Sequence, residues 1–123
     1  MEKLTGLIAA PHTPFDAHGE VNYPVIDQIA EHLIGQGVKG VYVLGTTGEG
    51  IHCSVAERKK VAERWAAASH GKLSITLHTG ALSIADSLEL SRHAETLDIF
   101  ATSVIGPCFF KPASVDDLVE YCR

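Results

Sequence analysis

The sequence predicts an α/β protein in which short buried strands alternate with amphipathic helices. Three observations carry this. Residues 4–10, 38–44, 73–78 and 99–105 form apolar stretches, the last three rich in β-branched or large side chains. They are near-continuous rather than alternating, as in parallel strands covered on both faces. The segments between them carry apolar residues at helical spacing, bounded by start and stop signals. One strand and one helix recur roughly every 26 to 35 residues, the size of a βαβ module.

The elements follow in order. After the first strand, Asn22 is placed to cap a helix with Pro24 in its opening turn. Val25, Ile26, Ile29, Ala30, Leu33 and Ile34 form its apolar stripe, and Gly35 and Gly37 stop it. The second helix opens on a capping box, Ser54-x-x-Glu57. Val61, Ala62, Trp65 and Ala66 form its apolar face, and His70-Gly71 closes it. The third helix is predicted over 83–97, with Ser83 and Asp86 as a weaker cap. A fourth starts at Ser114, with Asp116 and Asp117 where negative charge suits the helix dipole, and is expected to be still running at Arg123. The order βαβαβαβα fits a doubly wound open sheet or part of a (β/α)8 barrel. A full barrel takes about 250 residues, and this sequence holds about half the units. Residues 1–123 are expected to form a single, partial domain.

Composition narrows the function. The chain is 46% hydrophobic and 20% charged, unlike a disordered polar chain. Ten Lys and Arg stand against 15 Asp and Glu, which argues against a nucleic-acid partner. No apolar run reaches the ~20 residues of a membrane helix, and no signal-peptide pattern follows Met1. Cys53, Cys108 and Cys122 form no CxxC pair, so reduced thiols and a cytoplasmic location are expected.

In either architecture ligands meet the loops at the C-terminal ends of the strands. Those loops are 11–19, 45–53, 79–82 and 106–113. The most informative carries Gly45-Thr46-Thr47-Gly48-Glu49-Gly50. Its glycines permit tight turning and close approach, and its two threonines add hydroxyl and N–H donors. This suits a small anion such as a carboxylate or phosphate. The competing reading is a tight βα turn whose Thr hydroxyls satisfy backbone groups. The ending of a phosphate-binding P-loop is missing. In the last loop, Phe109 and Phe110 suit a pocket wall or subunit contact, against simple loop packing. Lys111 reads as a solvated charge, and Cys108 as a packed thiol. None of the seven histidines stands at metal-ligating spacing, so no metal is expected. Glu57, Arg58, Lys59, Lys60 and Glu63 read as a solvated outer helix face.

GTTGEG followed by SVAERKKVAE, with GLIAAPHTPF, HTGALS and GPCFFKP, resembles the pyruvate-dependent class I aldolase family, which includes N-acetylneuraminate lyases and dihydrodipicolinate synthases. HTGALSIADS and PCFFKP most resemble the lyases; the synthases usually carry a tyrosine pair where Phe109 and Phe110 stand. The resemblance implies the N-terminal half of a TIM (β/α)8 barrel, normally a homotetramer. It implies a carbon–carbon lyase that binds pyruvate and N-acetylneuraminate and needs no cofactor. Thr46 and Thr47 would hold the pyruvate carboxylate, and Thr46 would join the proton relay. The imine-forming lysine and relay tyrosine belong to later strands and have no counterpart in these 123 residues. The chain alone is therefore expected to lack lyase activity, and its uncovered strand edges to favour self-association. The alternatives are a 4-hydroxy-tetrahydrodipicolinate synthase or other 2-keto-acid aldolase, and a non-catalytic, self-associating half-barrel that binds small carboxylates.

Overall fold

The structure, a computed structural model, describes residues 3–123. Strands β1 (Ile8–Ala9), β2 (Gly40–Val43), β3 (Ser74–His78) and β4 (Ala101–Ser103) alternate with helices α1 (Tyr23–Gly35), α2 (Val55–Ser69), α3 (Ile84–Ala94) and α4 (Val115–Tyr121). The four strands form one parallel sheet in the order β1-β2-β3-β4. This order decides between the two architectures. A doubly wound sheet reverses its strand order at a switch point. Here each strand lies beside its predecessor, and crossovers of one hand stack successive helices on one face. Accordingly, α1 packs on α2 and α2 on α3. This is the winding of a barrel wall.

The strand period of two sorts the side chains onto the two faces. Val41, Val43, Ile75 and Leu77 point into the helix layer and are buried with Ile26, Ala30, Val61, Ala62, Trp65 and Ala94. The other face carries the half-buried Tyr42, Thr76, His78 and Ser103. It is polar, as suits a surface that meets ligands rather than a second apolar layer. Outside the core, ion pairs join α1 to α2 (Asp27–Arg64) and α2 to α3 (Lys59–Glu89), and a hydrogen bond links His93 of α3 to Glu63 of α2.

The helix starts follow the sequence signals. Ser54 and Glu57 form the complete capping box, Ser83 accepts from the Asp86 N–H, and Ser114 and Asp117 form a second box. Asn22 occupies the first cap with no side-chain capping bond among the described residues.

Several boundaries differ. The first strand pairs only at Ile8–Ala9 instead of over 4–10. Gly6 breaks it with φ +97°, where a Cβ would sit 2.7 Å from the Lys39 side chain. The fourth strand covers three residues of the expected seven, because it has one neighbour and β3 ends at His78. The third helix stops at Ala94 rather than 97. There the Thr96 hydroxyl donates to the His93 carbonyl at 2.7 Å, a local bond that competes with the helix. The fourth helix ends at Tyr121, with Cys122 as its cap, rather than running through Arg123. An unforeseen 3-10 turn, Gly50–His52, follows the glycine loop. No helix among the described residues is long and apolar enough to cross a membrane.

Candidate functional site

The C-terminal ends of the strands gather four loops, and the loop after β2 has the most constrained backbone. Leu44 (φ 60°) and Glu49 (φ 53°) both adopt left-handed conformations, which L-residues rarely do. Between them the chain turns so tightly that a Cβ on Gly50 would lie 2.0 Å from the Leu44 carbonyl oxygen. Backbone bonds close the turn: the Glu49 N–H donates to Thr46 O at 3.1 Å, and the Gly50 N–H to Gly45 O at 3.3 Å. The loop after β1 braces it, since the buried Thr13 hydroxyl donates to Gly48 O at 2.5 Å.

Thr46 and Thr47 are exposed at the apex of this turn. Neither hydroxyl bonds to another described residue. The backbone and Thr13 satisfy the turn instead, so its rigidity does not consume the two hydroxyls. What remains is a stiff loop presenting two free hydroxyls at the rim of the sheet, an arrangement able to donate to a small anion.

Beneath the loop is a polar cluster on the inner face. The Ser103 hydroxyl donates to Tyr42 Oη at 2.7 Å, and His78 Nδ1 lies 3.4 Å from both oxygens. One residue comes from each of β2, β3 and β4. Burial, then the nearby Arg58 cation, push the His78 pKa below its ordinary value. In the tautomer that carries the ring proton on Nε2, Nδ1 accepts from this cluster.

Arg58 corrects the reading of the charged run on the second helix as a solvated face. It is buried, while Lys60 and Glu63 on the same helix are exposed. Its guanidinium donates to His78 O at 2.8 Å and Gly80 O at 3.0 Å, clamping the end of β3 to α2. Its Nε has no hydrogen-bond partner among the described residues, and desolvation lowers its pKa. The spacing held a clue: Arg58 stands three and seven residues before Val61 and Trp65, on the buried stripe.

Phe109 and Phe110 are each 84% exposed and pack edge to face, with ring centroids 5.9 Å apart. They line a pocket of about 220 Å³ with His78, Gly80, Ile105 and Ile51 of the 3-10 turn. Thr46 and Thr47 are outside that lining. The aromatics and the threonines thus occupy the same end of the sheet but separate surfaces. Lys111 is exposed. No cluster of three or more potential metal ligands occurs among the described residues.

The model of the "Dihydrodipicolinate synthetase family" matches residues 3–123. The chain belongs to this family. Its curated relatives include the N-acetylneuraminate lyase of Mus musculus, 44% identical over 99% of this chain and 39% of that protein. The Danio rerio lyase is 48% identical over 96% of this chain and 39% of that protein. Among solved structures, N-acetylneuraminate lyase from Proteus mirabilis superposes with a TM-score of 0.97 at 80% identity, over 99% of this chain and 41% of that one. The Aliivibrio salmonicida enzyme gives the same TM-score at 73% identity, again over 99% and 41%. The chain thus spans about two fifths of the length of these relatives. Within the dihydrodipicolinate synthetase family it is an N-acetylneuraminate lyase-like member, and its four strands match the N-terminal part of the TIM-barrel fold.

Proposed function

We propose that the protein takes part in reversible aldol cleavage of N-acetylneuraminate to N-acetylmannosamine and pyruvate. Residues 45–50 supply the seat for the carboxylate next to the reacting carbonyl. The free Thr46 and Thr47 hydroxyls on a loop made rigid by Thr13 are the observation that carries this reading. A carboxylate fixed there sets the orientation of the neighbouring keto carbon. A lysine amine condenses with that carbon, releasing water and leaving a protonated imine. The bond between the α and β carbons then breaks, its electron pair moves onto the imine to give an enamine, and the β hydroxyl loses its proton as the aldehyde forms. On this reading Thr46 passes a proton in that relay. The reaction needs no metal or organic cofactor.

The lysine is the missing part. The six lysines of this chain lie outside the strands: Lys59 pairs with Glu89, and Lys39, Lys60, Lys72 and Lys111 are exposed. On this reading none of the six is the imine lysine, which the family carries on a later strand of the barrel, and residues 1–123 by themselves turn over no substrate. The family's homotetramer and a cytoplasmic setting complete the proposal, with Phe109 and Phe110 as pocket wall or subunit contact.

The test is a chimera in which residues 1–123 replace the matching part of the Proteus mirabilis lyase. It should release pyruvate and N-acetylmannosamine from N-acetylneuraminate. Replacing both Thr46 and Thr47 by Ala should cut kcat/KM by about 100-fold. A correctly folded chimera without turnover, or one indifferent to the double substitution, would overturn the reading.

A further inference from the structure

We propose that Tyr42 is a positioning residue for the carboxylate loop, held in place by Ser103 and His78. This rests on the reading of Thr46 and Thr47 as carboxylate donors. The geometry begins at Gly45, the first residue of the loop. A Cβ there would fall 2.3 Å from Tyr42 Cε1 and 2.7 Å from Cδ1. The aromatic ring therefore fills the space under the loop's first residue, which only a glycine leaves open. The ring acts as the floor on which the backbone of Gly45 rests, the residue that leads into Thr46.

A floor fixes the loop only if it cannot rotate or slide. Tyr42 gains that restraint at its far end. Its hydroxyl accepts from Ser103 on β4 at 2.7 Å and stands 3.4 Å from His78 Nδ1 on β3. The hydroxyl proton left over by the Ser103 bond is available to Nδ1. The restraint thus spans three adjacent strands, with Tyr42 half-buried. Arg58 completes the frame by holding the His78 and Gly80 carbonyls from the opposite layer. Strain at Leu44 gives the brace a purpose. The backbone enters the loop through a left-handed residue (φ 60°), a conformation that persists where its surroundings over-determine it.

The test is pyruvate affinity of the 123-residue chain, followed by the amide signals of Gly45–Gly50. Tyr42→Phe keeps the ring and removes its tether. It should weaken pyruvate binding about five- to tenfold, as losing one well-placed hydrogen bond does. It should also shift the Gly45 and Thr46 amides while leaving those of α1 and α3 in place. Ser103→Ala should do the same, and Ser103→Thr, which keeps the hydroxyl, should restore wild-type affinity. A merely structural role predicts loss of folding signals across the sheet and no such rescue. Thr46→Ala separates the two claims. If Thr46→Ala weakens binding and Tyr42→Phe does not, the positioning role is wrong. If Thr46→Ala has no effect, or the wild-type chain binds no pyruvate, the carboxylate reading falls and the positioning role with it.

Discussion

Arg58 shows how a single residue escapes a pattern-based reading. Its neighbours Lys59, Lys60 and Glu63 fit a solvated helix face, and charge alone assigned Arg58 to that face too. A guanidinium can be buried when fixed carbonyls accept its protons, and the ends of β3 and its loop supply two. Arg58→Met should therefore leave the His78 and Gly80 carbonyls without partners and lower unfolding stability by about 3 kcal/mol. Arg58→Lys should recover only part of this, because an ammonium cannot reproduce the fork. Denaturant unfolding of the two variants measures both effects, and equal stability of Arg58→Met and wild type would remove the clamp from the account. Thr46 and Thr47 were the opposite case. Their glycine setting left an anion site and a plain tight turn both open, and their freedom from the turn's own hydrogen bonds emerged only with the brace from Thr13. Tyr42 and Ser103 were hidden because an isolated strand does not reveal which polar side chains will meet across it.

At the scale of elements, local chemistry was legible and tertiary limits were not. Capping signals at Ser54, Ser83 and Ser114 marked three helix starts to the residue, since a cap is a bond within one turn. Strand ends depend on the backbone and on the neighbour, which explains why the first strand is cut short by the left-handed Gly6 and the fourth stops where β3 ends. The 3-10 turn at Gly50–His52 likewise follows from the left-handed Glu49 before it. The α2 cap carries a prediction. Ser54 accepts the Glu57 N–H at 3.3 Å, and the Glu57 carboxylate accepts the Ser54 N–H at 2.8 Å. The Ser54 hydroxyl also donates to the Glu57 carboxylate at 2.6 Å; this bond first, and the one from the Ser54 N–H second, lower the Glu57 pKa. The resulting stability is present above the unfolded carboxylate value and is lost as pH falls through the lower folded value. Ser54→Ala should cost about 1 kcal/mol at neutral pH and flatten that acid-side loss. Thermal melts across pH 2–7 would show it, and an unchanged acid limb in the variant would count against the box.

For the whole molecule, the consecutive parallel order β1-β2-β3-β4 places every loop of interest at one end of the sheet. The helices cover one face and leave the polar face open. The sequence allowed two windings, and strand order, a long-range property, chose the barrel wall. That winding brings the braced threonine loop, the Tyr42–His78–Ser103 cluster and the Phe109–Phe110 pocket onto a common rim while keeping threonines and aromatics on separate surfaces. On the proposed function, this rim seats a small carboxylate at Thr46 and Thr47. The most direct measurement is a titration of the isotope-labelled 123-residue chain with pyruvate, read amide by amide. Saturable shifts concentrated on residues 45–50, abolished by Thr46→Ala with Thr47→Ala, are the expected result. Shifts centred on the Phe109–Phe110 pocket, or none at any pyruvate concentration, would contradict it.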